Sequence, residues 1–318
     1  MQDDRLVLRA IAQPGELENR RNLVTITSQL SWDVFVSPLE LTVVDRRNDG
    51  HAAPGFGDLP PGVQYEAWSP ISSTLITGHR DAVLVDPLMT TTQARVLAAW
   101  IAATGKNLTT VYVTHGHGDH HFGLGVILDR FPGARAVATP PVVERMRESV
   151  DPDAVASFWT QLLPGQIPER LVVAEPLKDG GFDLEGHELV ALNLGHTDTD
   201  DTTCLYVPDI GLVAAGDAVY NDVHLYLAES DPDRRKEWIA AIDTIEALNP
   251  QAVISGHKRA GRADDPHILE ETRQYIRDFD RIDASATTAR ELYGQMLAIY
   301  PDRVNPGVLW ISARALKQ

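Results

Sequence analysis

Between Thr114 and Gly123 the chain reads Thr-His-Gly-His-Gly-Asp-His-His-Phe-Gly, four imidazoles and a carboxylate in one ten-residue stretch. The stretch has neither the 3.6-residue period of a helix nor the alternation of a strand. Just before it, Val111, Tyr112 and Val113 form the β-branched and aromatic part of Leu108–Thr114, which reads as a buried strand. The histidines therefore fall in the loop at that strand's end. Gly116 and Gly118 alternate with His115, His117 and Asp119, so the backbone is expected to bend sharply while the side chains between the glycines converge on one point. Such crowding needs a cation, and imidazole and carboxylate are ligands for zinc and similar divalent ions.

Three later segments share one form. His196 stands in Leu194-Gly-His-Thr-Asp198, Asp217 in Ala215-Gly-Asp-Ala218, and His257 in Ser255-Gly-His-Lys258. Each donor follows a glycine after a short apolar run. The runs Leu189–Leu194, Leu212–Ala215 and Ala252–Ile254 read as buried strands, so three strand ends deliver one donor each to a common edge.

From about Ser72 to Lys258 this combination of His-x-His-x-Asp-His with a later His, Asp and His resembles the metallo-β-lactamase superfamily. The resemblance implies an α/β fold, a four-layer αβ/βα sandwich, here with an N-terminal β extension and C-terminal helices. It implies that His115, His117 and His196 hold one metal ion, that Asp119, His120 and His257 hold a second, and that Asp217 bridges them. The Asp matching Asp86 helps to hold the metal loop in that family. Two divalent cations set against Asp119 and Asp217 keep about two positive charges in excess, a reason to bind and ionise water. A hydroxide shared by ions about 3.5 to 4 Å apart would then attack an ester, lactone or related acyl carbonyl, with Asp119 steering its proton. Zinc is the default ion, and a nitrogen and oxygen donor set also admits iron, manganese or cobalt.

Departures from individual branches narrow the reading. True β-lactamases with a metal-binding Cys carry it near the place of Asp217, and the diiron flavoproteins have a Glu where this chain has His117. Asp217 instead resembles the esterase, thioesterase and lactonase branches. Tyr220 falls where N-acyl homoserine lactonases carry a Tyr that contacts the substrate carbonyl, so it is either an acid or oxyanion donor or a packed aromatic. Glyoxalase II-like thioester hydrolysis is the alternative, and a mononuclear iron persulfide dioxygenase a further one. The thioesterase reading wants a cationic anchor for glutathione carboxylates, for which the Lys258–Arg262 turn is available. Lys258 is otherwise part of a solvated basic turn. His121 reads as a support for the ligands or as structural, and His224 either lines the pocket or lies at the surface.

Lys and Arg total 28 against 45 Asp and Glu, a formal net charge of -17, which repels polyanions and argues against nucleic acid as a partner. No apolar run approaches the roughly 18 residues of a membrane span. Met1–Arg5 lacks the order of a signal peptide, so a cytoplasmic enzyme with a small-molecule substrate and no membrane partner is expected. Cys204 is the only cysteine, which excludes an intrachain disulfide and reads as a buried strand thiol. Residues 1–62 form an extension with strands at Val34–Val36 and Leu39–Val44 and a Gly- and Pro-rich stretch at 48–62. The extension is expected to pack on the core or on a second subunit of a homodimer, with Trp32 and Phe35 as anchors or as cover for the site mouth. Residues 63–318 form the catalytic domain, with helices expected at 91–104, 124–131, 140–163, 233–248 and, as a C-terminal cap, 267–300.

Overall fold

The computed structural model describes residues 30–42, 60–61, 63 and 67–317. The chain before Leu30, the end of the strand expected to reach Val44, and most of 48–62 lie outside the described residues.

Two sheets face each other. The first has the order β1-β4-β5-β6-β7-β8, from β1 (Ser31–Val36), β4 (Ser72–Thr77), β5 (Asp81–Val85), β6 (Asn107–Tyr112), β7 (Arg135–Ala138) and β8 (Glu175–Pro176). The second has the order β13-β12-β11-β10-β9, from β9 (Gly181–Leu184), β10 (His187–Gly195), β11 (Thr202–Val207), β12 (Leu212–Asn221) and β13 (Ala252–Lys258). A two-stranded pair, β2 (Glu40–Leu41) with β3 (Ala67–Trp68), stands apart. β4 and β5 form the hairpin read from the sequence, with Thr77 opposite Ala82, and β5, β6 and β7 run parallel.

Three apolar clusters show why the layers stack as they do. Ile76, Val85, Tyr112, Leu205, Val207 and Ile254 fill the space between the sheets. Leu84, Val111, Leu97, Ile101 and Ile127 join the outer face of the first sheet to α1 (Thr91–Ala103) and α3 (Leu124–Arg130). Val213, Val253, Trp238, Ile276 and Leu309 join the second sheet to α7 (Pro232–Ala247), α8 (Ile268–Asp283), α9 (Ala289–Ile299) and α10 (Pro306–Leu316). Helix, sheet, sheet, helix is the four-layer order, because each sheet has two apolar faces to cover.

Local chemistry sets the helix ends. Thr90 and Gln93 exchange side-chain and backbone hydrogen bonds of 3.2 and 3.1 Å, a capping box that starts α1. Asp231 accepts from the amides of Asp233 and Arg234, and Pro232 follows at the first helical position of α7. The region 140–163 is one long helix in the sequence reading and several pieces in the structure. α4 (Pro140–Ser149) ends before Pro152, and the short turns α5 (Pro152–Ala154) and α6 (Thr160–Leu162) flank a π-helical turn at Val155–Trp159. That turn brings Phe158 and Trp159 to the cavity described below.

β1 pairs antiparallel with β4, so this part of the N-terminal extension is the edge strand of the core sheet. The Phe35 ring lies 5.7 Å from that of Trp100 on α1, and Trp32 packs on the layer between the sheets. Neither residue lines the cavity.

Candidate metal centre

The strand ends and the loops beyond them bring the expected donors to one edge, with two differences of position. Asp217 and His257 lie within β12 and β13, not beyond them. The register between these parallel strands is irregular from Ala214 to Tyr220, and Gly216, at φ +54, swings Asp217 over Gly256. The reason for Gly116 and Gly118 also differs from the expected sharp bend, since neither has a positive φ. A Cβ at Gly116 would stand 2.3 Å from the Arg145 Cβ, and one at Gly118 2.4 Å from the Phe122 ring, so both glycines permit close packing.

Each imidazole is oriented by a partner on the nitrogen facing away from the centre. Thr114 Oγ1 donates to Asp86 Oδ2 at 2.8 Å and meets His115 Nδ1 at 2.9 Å, while Asp86 Oδ2 also meets His120 Nδ1 at 3.1 Å. His257 Nδ1 donates to the Pro70 carbonyl at 3.0 Å, and His117 Nε2 lies 3.2 Å from Glu229 Oε1. These partners put the Nε2 atoms of His115, His120 and His257, and Nδ1 of His117, toward the interior of the site. Asp86 thus acts on the loop through Thr114 and His120, the kind of support expected of it.

The inward atoms find carboxylate oxygens and little else. His120 Nε2 lies 3.2 Å from Asp217 Oδ1, and His257 Nε2 lies 3.2 Å from Asp217 Oδ2 and 3.4 Å from Asp119 Oδ2. Asp198 Oδ2 is 2.7 Å from His117 Nδ1 and 3.7 Å from His115 Nε2. His115 Nε2, His120 Nε2, Asp198 Oδ2 and Asp217 Oδ1 are buried and have no hydrogen-bond partner. Burying one such atom unsatisfied costs about 1–3 kcal/mol, and four together in one place are accounted for by cations among them. Three overlapping donor groups have the spacing for this: Asp86, His115 and His120; His115, His117 and Asp198; Asp119, His120 and His257. The residues fit divalent metal.

Residues 67–257 match the profile of the Metallo-beta-lactamase superfamily. The chain belongs to that superfamily. Among solved structures, a metallo-beta-lactamase family protein from Thermus thermophilus aligns at TM-score 0.58 and 20% identity, covering 89% of this chain and 91% of that one. A metallo-beta-lactamase from Pontibacter korlensis aligns at TM-score 0.51 and 17% identity, covering 77% and 100%. The DIM-1 metallo-beta-lactamase, solved after exposure to ceftazidime, aligns at TM-score 0.52 and 17% identity, covering 79% and 98%. At these identities the likeness is one of fold. No curated protein matches the chain. Superfamily membership and the His and Asp clusters are those of a metal-dependent hydrolase.

Within this superfamily member the remaining expected residues fall in different places. His196 is not brought to the other donors, since its Nδ1 lies 2.8 Å from Asp200 Oδ1 and its Nε2 2.8 Å from Ser230 Oγ. Asp198, two residues on, stands beside His115 and His117. Tyr220 lines the cavity, but its hydroxyl donates to Asp217 Oδ2 at 2.7 Å and its ring stacks on His257 at 5.3 Å. Burial, reinforced by the Asp217 charge, raises the phenol well above its ordinary pKa, so it stays a donor. Burial also raises the Asp217 carboxyl, yet the His257 and His120 imidazoles outweigh it and hold that carboxyl well below the usual range.

His121 is structural, bonded through Nε2 to Ser149 Oγ at 2.8 Å, and burial lowers its imidazole to about 3. His224 neither lines the cavity nor reaches the surface. It is buried under the C-terminal helices with Nδ1 2.8 Å from the Tyr275 hydroxyl, and burial, with the Arg303 charge, lowers it to about 3. Lys258 is buried and ion-paired with Asp264, Arg259 meets Asp222 at 2.6 Å, and neither lines the cavity.

The cavity beside the donors has a volume of about 260 Å³. Trp68, Phe158, Trp159, Val308 and Ile311 supply apolar walls, and Asp119, Asp198, Asp217 and Glu229 line it with carboxylates. Sequence reasoning missed Trp68, whose indole Nε1 donates to Asp119 Oδ2 at 2.9 Å, and the Glu229 and Tyr226 pair beside His117. A single tryptophan just ahead of the recognisable pattern carries no signal of such a contact.

Proposed function

We propose that the protein is a dinuclear metal-dependent hydrolase that cleaves a neutral ester or lactone with an apolar acyl part, zinc being the default ion. The observation that carries this reading is the cavity wall: aromatic and aliphatic side chains together with carboxylates, and no Lys or Arg among the described residues that line it. A glutathione thioester brings carboxylates of its own, and these would find no cation among the described residues of that wall. Lys258 and Arg259, the anchor the thioesterase alternative required, are engaged with Asp264 and Asp222 elsewhere.

Bound divalent ions supply a water-derived nucleophile at neutral pH and polarise the substrate carbonyl. The chain's own residues do the rest. Trp68 and His257 fix Asp119 at the edge of the cavity, where its carboxylate is placed to take or steer a proton. Tyr220 holds Asp217 by a charge-assisted hydrogen bond and presents its ring to the cavity. Trp68, Trp159 and Phe158, with successive ring centroids 5.0 Å apart, take up the acyl chain and exclude water from the reacting carbonyl.

The test is a panel of aryl esters and lactones of increasing acyl length, set against an anionic glutathione thioester. Each methylene buried along the apolar wall should raise kcat/KM by roughly fourfold, from about 0.8 kcal/mol per CH₂, until the cavity is full. A kcat/KM for the thioester above that of every neutral substrate sinks the proposal.

A further inference from the structure

One buried polar atom in the cavity wall has no task in the metal centre. Among the described residues that line the cavity, the buried side-chain atoms without a hydrogen-bond partner are Asp198 Oδ2, Asp217 Oδ1 and Thr42 Oγ1. The two carboxylate oxygens face imidazoles of the centre, whereas Thr42 belongs to none of the donor groups there. Other uncharged polar groups of the wall are engaged: the Trp68 indole with Asp119, the Tyr220 hydroxyl with Asp217, the Tyr226 hydroxyl with Glu229, and Ser69 with Asn305. Thr42 directly follows β2, which is fixed by its pairing with β3, Glu40 opposite Trp68 and Leu41 opposite Ala67, and by a 3.4 Å bond from Gln93 of α1 to Glu40. It stands ahead of the superfamily profile, which begins at residue 67.

Backbone preference does not account for this hydroxyl. Valine has the same β-branch and nearly the same shape, and it avoids stripping a hydroxyl of water with nothing in return. A trapped water is the other account, and under it no group of a ligand couples to Thr42. The rest of the wall around an incoming apolar chain is Trp68, Phe158, Trp159, Val308 and Ile311. A hydroxyl set among such side chains distinguishes one kind of chain from another, because a substrate that brings no partner leaves Oγ1 buried and unpaired.

We propose that Thr42 is a specificity-determining residue whose hydroxyl hydrogen-bonds an uncharged polar substituent, a hydroxyl above all, on the otherwise apolar acyl part of the substrate. The inference deepens the hydrolase reading above and rests on it. A hydroxyl both donates and accepts, so it answers Oγ1 whichever way the Thr42 proton is turned. An anionic substituent is disfavoured by Asp119, Asp198, Asp217 and Glu229 in the same wall, and a single hydroxyl does not replace the hydration of an ammonium.

The experiment takes aryl esters of one straight-chain acid and of its monohydroxylated analogues, the hydroxyl moved one carbon at a time, and measures kcat/KM for metal-loaded wild type, Thr42→Val and Thr42→Ser. The quantity read is the preference for the hydroxylated over the plain ester in wild type, divided by the same preference in Thr42→Val. Expected is a quotient of roughly three- to tenfold for at least one hydroxyl position, with the preference kept by Thr42→Ser. The melting temperature of Thr42→Val should be no lower than that of wild type, because an unpaired buried hydroxyl has been removed. A smaller quotient at every position overturns the assignment, and so does a lowered melting temperature in Thr42→Val, which would reveal a structural partner. If no ester or lactone is turned over, the hydrolase reading fails by itself. Calorimetric affinities of the matching alkyl aryl ketones for the same proteins then decide Thr42 by the same quotient, and absence of binding overturns it.

Discussion

Gly256→Ala is a change of one methyl group that should dismantle half of the centre. β13 passes directly beneath Asp217, and a Cβ on Gly256 would stand 1.9 Å from Asp217 Oδ1, 2.8 Å from the Gly216 carbonyl carbon and 3.0 Å from the Asp217 amide nitrogen. To reach ordinary contact the carboxylate must retreat by roughly 1.5 Å, an overpacking strain of about 1–3 kcal/mol. Metal–ligand distances tolerate only about 0.2 Å, so the retreat would take Asp217 out of its proposed ligand position well before it unfolds the chain. Asp217 cannot escape by turning, since Tyr220 holds Oδ2 at 2.7 Å and His257 and His120 crowd both oxygens at 3.2 Å. The assay is metal content by elemental analysis beside the thermal midpoint, with Gly133→Ala as control because no heavy atom lies within 4 Å of its added Cβ. Loss of at least one ion with a modest fall in melting temperature is expected for Gly256→Ala, and neither for the control. Retention of both ions with wild-type turnover would refute the contact argument, because it would mean that β13 yields and the carboxylate does not.

Three further outcomes follow from particular contacts. Tyr220→Phe removes a hydrogen bond to an ionised carboxylate, worth about 1.5–3 kcal/mol, and should speed metal loss to a chelator at least tenfold as well as lowering kcat; unchanged metal retention would show that the hydroxyl does not position Asp217. Glu185 accepts from the amides of Arg80, Asp81 and His79 at 2.7, 2.8 and 2.7 Å, and the Arg80 bond foremost lowers its carboxyl pKa. A depressed folded pKa gives stability above the unfolded carboxyl range that is lost as pH falls through the folded value, so the melting-temperature gap between wild type and Glu185→Gln should be widest near neutrality and close below about pH 4. Gly294→Ala, at an exposed position within α9 with no heavy atom near the added Cβ, should raise stability by about 0.5–1 kcal/mol in a denaturant titration; a lower midpoint would contradict the open space seen there.

The layered fold was legible because its signals are local and redundant. Short β-branched runs, a glycine after each, and helices with apolar stripes between them mark the strands and most of the helices, 140–163 excepted, while the arrangement as two facing sheets was implied by the resemblance to the superfamily. His115, His117, Asp119, His120, Asp217 and His257 were expected together at one edge, and the fold brings them together there. The placing of His196 and Asp198 was not legible. Both stand in the same loop, two residues apart, and the way the His196 ring is turned is set by contacts made in the fold, Asp200 on Nδ1 and Ser230 on Nε2. Contacts of this kind have no sequence period. Tyr220 shows the same limit: its spacing from Asp217 is readable, but whether the phenol faces substrate or carboxylate depends on a rotamer set by stacking on His257 and contact with Trp238.

The pattern of the superfamily ends at residue 257, and the cavity does not. Asn305, Gly307, Val308 and Ile311 from the start of α10 close one wall, and Asn305 Nδ2 donates to Ser69 Oγ at 2.8 Å, tying that wall to the segment after β3. Trp68 on β3 completes the connection by its bond to Asp119. The chemistry thus rests on donors whose identity is constrained by what a cation accepts, whereas the choice of substrate rests on wall residues constrained only by shape and apolarity. Leu, Val, Ile and Met are near-equivalent in such a wall, so its sequence signal is weak even when its effect on specificity is large. On the proposed function, substrate preference is set by Thr42 and β3, the π-helical turn at Val155–Trp159 and α10, elements that lie outside the strand-end donors and meet only in the folded molecule.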